Sequence, residues 1–411
     1  MANNAYDLIV IGGGAAGMMG AVAAAQTGKR VLLLEKNNRL GKKILITGKG
    51  RCNVTNNCNL ETFMKNVTTN GRFLYSAFSQ FSAEDAMVFF EELGVSLKTE
   101  RGNRVFPESD KAQDIVSAFE NAVKQYGVTV KNATVSALII EQSQIRGVLC
   151  GEVPYRADAV LVATGGKSYP LTGSTGDGYQ FARQAGHTVV PQVPSLVPVV
   201  AQEKYCADMM GLSLKNVELS LKDVQTGKLL YSELGEMLFT HFGVSGPLVL
   251  SASSHIYKMQ PDRFMFEIDL KPALSNEKLD ARIQRDFAEN SNKDFANVLR
   301  KLLPAKMVPV VVALSEISGE MKVNQITKMQ RMQLVQLLKA FPIHIKSFRP
   351  IEEAIITSGG VAVSEISPKT MESKLIKGLR FAGEVLDVDA YTGGFNLQIA
   401  FSTGYAAGKN L

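Results

Sequence analysis

The sequence predicts an α/β protein with a Rossmann-like nucleotide-binding domain that is built from both chain ends and interrupted by an inserted region. The first observation is a strand, a glycine-rich turn, a helix and a second strand within the first 35 residues. The second is the distribution of glycine: 21 of the 35 glycines lie in residues 1–186 and eight in 346–411, against six in 187–345. The third is a middle region with alternating apolar runs and then helical periodicity.

The N-terminal unit begins with a compact apolar strand, Tyr6 to Ile11, and continues into the turn Gly12-Gly13-Gly14-Ala15-Ala16-Gly17. An alanine-rich helix is predicted over Ala15 to Gln26, and a second buried strand over residues 30–34. Glu35 stands at the end of that strand, at the spacing expected of a dinucleotide-binding unit.

Each position of this unit has a physical task. Gly12 makes the turn, Gly14 lets the backbone reach a pyrophosphate, and Gly17 lets the helix pack closely on the strand. The helix N-terminus offers free N–H groups and the positive end of its dipole to phosphates. Glu35 can accept adenosine ribose hydroxyls and would repel a 2′-phosphate, which disfavours NADP at this site.

The N-terminal unit alone leaves FAD and NAD open, and later features favour FAD. Residues 135–149 have the pattern of a strand meander, and a strand at 158–162 runs into Ala163-Thr164-Gly165-Gly166. Near the C-terminus, Gly383-Glu384 ends a strand and can hold a ribityl chain, while Gly393 to Gln398 opens a helix that reaches Ala407. A helix N-terminus beside a flavin can stabilise negative charge on the reduced ring.

The inserted region changes character along its length. Val217 to Leu221 and Phe264 to Ile268 alternate apolar and polar residues, which predicts an antiparallel sheet or small barrel. Residues 275–340 carry helical periodicity. We therefore expect a discontinuous nucleotide-binding domain (1–190 and 346–411), an inserted β-domain (191–272) and a helical subdomain (273–345).

Composition excludes several classes of protein. The chain has 411 residues, of which 45% are hydrophobic and 20% charged, which argues against disorder and fits two or three domains. The net charge of +6 is mild, and the basic group Lys42, Lys43, Lys49 and Arg51 is explained as well by a phosphate-rich ligand as by RNA. The four cysteines form no disulfide framework, and no metal signature is present.

No apolar run is near the roughly 18 residues that span a membrane, and the N-terminus lacks a signal peptide's pattern. The expectation is a soluble, cytoplasmic protein. We expect a small-molecule substrate and no membrane partner. Nucleic acid is disfavoured as a partner because aromatic residues are not interleaved with a basic stripe. The oligomeric state is left open.

Motifs along nearly the whole chain resemble those of the BaiN-like (YhiN-like) FAD-dependent oxidoreductase family, which includes aminoacetone oxidase. The resemblance rests on residues 10–17, 39–43, 50–56, 71–73, 104–107, 164–170, 172–176, 239–247, 357–361 and 383–387. One departure is Lys49, where the family usually has glycine before Gly50-Arg51-Cys52-Asn53.

This resemblance implies a Rossmann-like FAD-binding domain built from both chain ends, with an inserted β-barrel-like domain and a helical subdomain. It also implies noncovalent FAD. A second complete dinucleotide motif is absent from the sequence, so NAD(P)H, as the candidate electron donor, would bind without its own Rossmann motif. The residues expected to bind FAD are Gly12, Gly14, Ala15, Ala16, Gly17, Glu35, Lys36, Lys43, Gly50, Arg51, Cys52, Val135, Thr164, Gly165, Gly166, Gly383, Glu384, Gly394, Phe395, Asn396 and Leu397.

Four residues are candidates for catalysis. Arg51 and Asn53 are expected beside the flavin, where Arg51 would supply positive charge or, alternatively, only hold its loop. His241 could exchange a proton near neutral pH, or it could be a hydrogen-bonded histidine that shapes the β-domain. Arg104 could hold a substrate carboxylate or carbonyl, or form an ordinary surface ion pair.

The expected function is that of an FAD-dependent oxidoreductase acting on a small organic molecule, with the flavin N5 accepting or donating hydride. Two reactions remain open: oxidation of an amine such as aminoacetone with oxygen as acceptor, and NAD(P)H-driven reduction of a conjugated ketone. The alternative is a flavin-binding protein of RNA modification or redox sensing.

Overall fold

The computed structural model describes residues 6–256 and 258–411. The chain divides into two compact units, one formed by the residues up to Ser195 together with Ile351–Leu411, the other by Leu196–Pro350. Among the described residues, no helix combines the length and apolar character needed to cross a membrane.

The part of the first unit that precedes the second unit in the chain contains both strands and helices. The strands up to residue 195 are β1 (Tyr6–Ile11), β2 (Val31–Glu35), β3 (Thr55–Asn56), β4 (Val67–Thr69), β5 (Leu97–Glu100), β6 (Arg104–Pro107), β7 (Thr129–Asn132), β8 (Ala137–Glu141), β9 (Gln144–Cys150), β10 (Val153–Val162) and β11 (Val189–Ser195). The helices of this segment are α1 (Ala15–Gln26), α2 (Leu60–Lys65), α3 (Tyr75–Gln80), α4 (Ala83–Glu92), α5 (Ala112–Gln125) and α6 (Asp177–Gln184).

The second unit contains strands β12 (Val199–Ala201), β13 (Ser213–Asp223), β14 (Lys228–Thr240), β15 (Gly243–Ser245), β16 (Phe264–Asp269) and β17 (Phe341–Phe348). Its helices are α7 (Tyr205–Asp208), α8 (Pro247–Ser253), α9 (Asn276–Glu289), α10 (Phe295–Leu299), α11 (Val308–Ser315) and α12 (Lys328–Lys339). The returning segment adds β18 (Ile356–Val361), β19 (Leu379–Phe381), β20 (Asp389–Ala390) and α13 (Phe395–Lys409). Short 3₁₀ helices cover Ile44–Gly50, Gly71–Leu74, Pro170–Thr172, Ala305–Met307, Val323–Gln325, Ile351–Glu353, Val363–Glu365 and Gly383–Val385.

The first unit is organised around one sheet with the order β7-β2-β1-β10-β9-β8, to which β19 adds on β10. Strands β7, β2, β1, β10 and β19 run parallel, while β9 and β8 continue antiparallel from the first half of β10. Leu8, Ile9 and Val10 are fully buried, and a strand that is buried on both faces of a sheet needs such a continuous apolar run.

Helices α1 and α13 pack against each other through small residues. A Cβ on Gly404 would lie 2.3 Å from the Ala16 carbonyl oxygen, and one on Gly408 would lie 2.1 Å from that of Gly20. Such distances permit only glycine, so the helix from the returning segment is seated directly on the first helix of the chain. Both chain ends therefore build the same nucleotide-binding unit.

The second unit contains a closed antiparallel barrel with the order β12-β15-β14-β13-β16-β17. Phe239, Phe266 and Phe341 are fully buried in an apolar core that the barrel shares with α9 to α12. The predicted fold class is confirmed: the fold is a Rossmann-type FAD-binding fold with an inserted β-barrel. The division into three domains at 190, 272 and 345 stays a prediction, and β17 runs across the last of these positions.

Candidate functional site

A cleft lies in the first unit at the carboxyl ends of β1, β2 and β10. Ligands of open α/β sheets bind at this edge. Of the residues expected to bind FAD, the following line it: Gly12, Gly14, Ala15, Ala16, Glu35, Lys36, Lys43, Val135, Thr164, Gly165, Gly383, Glu384, Asn396 and Leu397. The others do not belong to its lining: Gly17, Gly50, Arg51, Cys52, Gly166, Gly394 and Phe395.

The glycines of the N-terminal turn differ in what requires them. Gly12 has a φ of +101°, and its Cβ would lie 2.7 Å from the Ala163 carbonyl oxygen. A Cβ on Gly17 would lie 1.8 Å from the Gly12 carbonyl oxygen, so no side chain fits there. Gly14 has an ordinary extended backbone (φ −84°), and its Cβ would meet no atom of residues 6–256 and 258–411 within 4 Å. Neither backbone strain nor protein packing therefore requires glycine at position 14, and its Cβ position is free for a ligand.

Glu35 is buried at the end of β2 and is held in one orientation. Its Oε2 accepts the Gly13 N–H at 2.7 Å, and its Oε1 accepts the Asn37 backbone N–H at 2.8 Å and the Asn37 side-chain amide at 2.7 Å. A carboxylate has about four acceptor positions, so these bonds fix the group and leave capacity for a hydroxyl of a ligand.

Sequence reasoning missed part of the cleft wall. Thr172, Gly173, Ser174 and Asp177 also line the cleft. Lys36 Nζ bonds Asp177 Oδ2 at 2.6 Å and Thr175 Oγ1 at 2.5 Å, which fastens this wall to the end of β2. The motif around residues 172–176 was visible in the sequence, but nothing in it indicated which strand it faces.

A second fastening joins Lys43 to the returning segment. Lys43 Nζ donates to Glu384 Oε2 and to Ser168 Oγ, each at 2.6 Å. Glu384 Oε1 in turn accepts the Thr357 N–H at 2.8 Å and the Ser168 hydroxyl at 3.0 Å. This partly buried network places one cation and one carboxylate together on the cleft, with both charges compensated.

Two helix N-termini meet the cleft. Ala15 and Ala16 open α1, and Asn396 and Leu397 open α13. The first N–H groups of a helix have no partner within the helix, and the dipole places partial positive charge there. The side chain of Asn396 is bonded to both the N–H and the carbonyl of Ala390, at 2.9 and 2.7 Å. At the start of α13, it is therefore the backbone that is available to a ligand.

Arg51 lies outside the cleft lining, and its charge is met by protein carboxylates. Its guanidinium pairs with Glu100 and donates to Asp110 Oδ1 at 2.8 Å, and it stacks on the Phe106 ring at 4.1 Å. These hydrogen bonds raise the pKa of Arg51 and lower the pKa of Glu100, while the pKa of Asp110 is lowered by its hydrogen bond from Lys98 and then by the one from Arg51. The arrangement holds the loop after β2 on the β5–β6 hairpin; a role beside the flavin stays a prediction.

The same loop contains two non-glycine residues with left-handed backbone. Lys49 is exposed and has a φ of +59°, between Gly48 (+56°) and Gly50 (+84°). The family's usual glycine at this position is thus replaced by a residue whose Cβ disfavours the conformation. Cys52, also at +59°, is fully buried, and burial raises the pKa of its thiol to about 12. A thiol of this kind is not a nucleophile at neutral pH.

Asn53 lies between this loop and α13. In the amide orientation that satisfies its neighbours, its nitrogen donates to the carbonyls of Thr55 (3.1 Å) and Val105 (3.2 Å), and its oxygen accepts the Gly394 N–H at 3.0 Å. Arg104 is exposed and donates to the Arg101 carbonyl at 3.1 Å. Catalytic roles for Asn53 and Arg104 stay predictions.

His241 belongs to the second unit, where it is exposed on the turn between β14 and β15 with its ring edge-on to Phe242. Its proposed proton transfer stays a prediction. His187, given no functional setting from the sequence, is buried in the first unit and bridges Glu365 and Ser373 at 2.8 and 2.7 Å. It ties the end of α6 to the loop before β19.

The cleft fits a flavin dinucleotide on structural grounds. Gly14 leaves space that its own Cβ would fill, Glu35 is oriented with acceptor capacity to spare, and the two helix N-termini supply partial positive charge. Thr164 adds a cleft-lining residue whose buried hydroxyl has no hydrogen-bond partner among the described residues.

Two curated proteins are similar to this chain along nearly its whole length. The chain is 31% identical over 415 residues to a 3-dehydro-bile acid delta(4,6)-reductase of Clostridium scindens, covering 97% of each chain. It is 33% identical over 410 residues to a ribosomal RNA dihydrouridine synthase of Haemophilus influenzae, covering 98% of each.

Among solved structures, the open conformation of a flavocytochrome c3 fumarate reductase matches with a TM-score of 0.53 and 18% identity, covering all of this chain and 78% of the other. That likeness concerns the fold alone. The predicted enzyme class, an FAD-dependent oxidoreductase, is confirmed by the family and its reductase member. The model of the HI0933-like protein Rossmann domain matches residues 6–410, and the chain belongs to this family.

Proposed function

We propose that this protein is an FAD-dependent reductase that adds hydride to a carbon–carbon double bond conjugated with a carbonyl group. The observation that carries the proposal is the near full-length similarity to a 3-dehydro-bile acid delta(4,6)-reductase, joined to a cleft whose Gly14 leaves room for a dinucleotide. A 3-oxo group conjugated with ring double bonds is an enone, and hydride from a reduced flavin adds to the β-carbon of such a system.

When bound, FAD would supply the hydride-transfer chemistry. The chain's own groups would hold it: the backbone at Gly14 and the start of α1 at the pyrophosphate, and Glu35 at the adenosine ribose. Lys43 and Glu384, fixed on each other, would meet the polar chain that joins the two halves of the cofactor. The proposal also includes NAD(P)H as the electron donor, His241 as the proton donor and a cytoplasmic location.

A second candidate substrate is uridine in ribosomal RNA. The relative named as a ribosomal RNA dihydrouridine synthase covers the whole chain at 33% identity. Dihydrouridine differs from uridine by two hydrogens across a double bond that is conjugated with a ring carbonyl, so the reaction class is the same. The net charge of +6 is compatible with such a substrate, whose binding would weaken as salt rises.

The test is an anaerobic titration of the FAD-loaded protein, followed in the visible flavin band. We expect NADH or NADPH to bleach the band, and a 3-oxo-4,6-diene steroid to restore it. Recovery with unmodified ribosomal RNA, together with dihydrouridine found by mass spectrometry, would make RNA the substrate. Bleaching by aminoacetone and not by NAD(P)H would replace the reductase with the amine oxidase expected as the other reaction. A protein that binds no FAD would refute the proposal in all its forms.

A matched control separates specific from adventitious flavin reduction. Gly14→Val should carry much less flavin than the wild type and show correspondingly weaker bleaching under the same conditions, because its side chain would occupy space in the cleft. Gly71→Ala is the neutral counterpart: its backbone φ is ordinary and an added Cβ would lie 3.5 Å from Val67, in normal contact.

A further inference from the structure

The segment Asn53–Asn56 is bonded at three points to the start of α13. The Asn53 side-chain oxygen accepts the Gly394 N–H at 3.0 Å, and Asn56 Nδ2 donates to the Gly393 carbonyl at 3.1 Å. Thr55 Oγ1 donates to Gln398 Oε1 at 2.7 Å, one turn into the helix. The contacts hold the turn that begins the helix and the first turn of the helix itself.

This attachment leaves little freedom. Gly394 has a φ of +98°, and a Cβ there would lie 2.3 Å from the Thr55 carbonyl carbon, so backbone packs directly on backbone. Thr55 and Gln398 are buried, and Asn53 is itself fixed by its bonds to the Thr55 and Val105 carbonyls. Buried, satisfied polar networks of this kind specify one arrangement.

The helix end that these residues hold belongs to the cleft. Asn396, Leu397 and Ala400 of α13 line it together with Gly14, where an added Cβ would point into open space. Because the Asn396 side chain is bonded to Ala390, the start of α13 offers the cleft its free backbone N–H groups and the positive end of its dipole.

We propose that Asn53 and Asn56 are positioning residues, which hold the N-terminal end of α13 so that its N–H groups stabilise the negative charge of reduced FAD. The inference rests on the proposed function and deepens it. It gives Asn53 an action through the helix in place of the direct position beside the flavin that the sequence predicts. It gives Asn56, which is not among the site residues expected from the sequence, a part in the same action.

The experiment compares Asn53→Ala and Asn56→Ala with Asn57→Ala, an exposed neighbour. FAD content, thermal unfolding and the two-electron midpoint potential of the bound flavin are measured for each. We expect both variants to retain FAD but to bind reduced FAD about tenfold more weakly relative to oxidised FAD, which lowers the potential by about 30 mV. Asn57→Ala should match the wild type.

A midpoint potential separates positioning from plain structural support, because loss of a structural bond lowers the unfolding temperature without favouring one redox state. FAD-loaded Asn53→Ala and Asn56→Ala proteins with the wild-type potential would overturn the inference. If Asn53→Ala does not fold, Asn56→Ala, which loses only the bonds to Gly393 and Gly102, decides by the same measurement. Wild-type protein that binds no FAD refutes instead the proposed function.

Discussion

Gly14 gives the sharpest test of the cleft, because the structure separates its effect on folding from its effect on binding. In the part of the chain that the structure describes, an added Cβ meets no atom within 4 Å, and the backbone conformation is open to any residue. Gly14→Ala should therefore leave the apoprotein as stable as the wild type or raise its free energy of unfolding by about 0.4–1 kcal/mol, through the lower entropy of the unfolded chain.

A side chain at position 14 should weaken FAD binding, although it leaves the apoprotein as stable as before or more stable. With free FAD at 100 times the wild-type Kd, the bound cofactor adds about 2.7 kcal/mol to the stability of the wild type. If the side chain of Gly14→Val weakens binding about 100-fold, the same FAD concentration adds only about 0.4 kcal/mol, so about 2.3 kcal/mol of ligand-induced stability is lost.

Urea unfolding of apoprotein and of FAD-saturated protein measures both quantities, and absorbance gives the flavin content. Gly17→Ala provides the contrasting case, since its Cβ would lie 1.8 Å from the Gly12 oxygen and should destabilise the apoprotein itself. A Gly14→Val protein that holds FAD stoichiometrically would refute the placement of the dinucleotide, and an unstable Gly14→Ala apoprotein would refute the reasoning from free space.

Three further outcomes follow from the first unit. Lys49→Gly should raise the free energy of unfolding by up to about 1 kcal/mol, since it relieves a left-handed lysine; an unchanged or lower urea midpoint would contradict this. Cys52 should resist iodoacetamide at pH 8 until the protein unfolds, because burial raises the pKa of its thiol to about 12; rapid native-state labelling found by mass spectrometry would show otherwise. Burial raises the pKa of Asp387, and the nearby Asp389 adds a smaller contribution. Ionisation of Asp387 therefore opposes folding. The stability that the protonated group contributes is fully present below its pKa in the unfolded chain and is lost as the pH rises through its pKa in the folded protein. Asp387→Asn should therefore stabilise the protein at pH 7.5 and change little at pH 3, and equal effects at both pH values would exclude this origin.

Much of the nucleotide-binding unit could be predicted from sequence, because its signals are local. The helix Ala15–Gln26 has the bounds that its alanine pattern and preceding glycines predict, and Glu35 ends its strand as expected. Spacing along the chain carries this information because the turn, the helix N-terminus and the following strand are consecutive.

The surroundings of Arg51 and Asn53 could not be predicted in this way. Arg51 pairs with carboxylates 49 and 59 positions away, and Asn53 meets Gly394 from the opposite end of the chain. In the sequence alone, a polar residue in a glycine-rich loop looks the same whether its side chain contacts a ligand or holds its own loop in place. The difference depends on which distant segment packs against it, and a single sequence does not record that.

The packing of α13 on α1, and of β19 on β10, has a consequence for the order in which the protein is made. Strand β10 ends at Val162 and β19 begins at Leu379, so a ribosome working at 5–20 residues per second needs roughly 10–40 s between them. During that interval the nascent sheet has an open apolar edge, and the surface of α1 that Gly404 and Gly408 will cover is bare. The inserted barrel is synthesised within this interval. Its early folding would shorten the flexible chain that connects the two halves of the nucleotide-binding unit before they pack together.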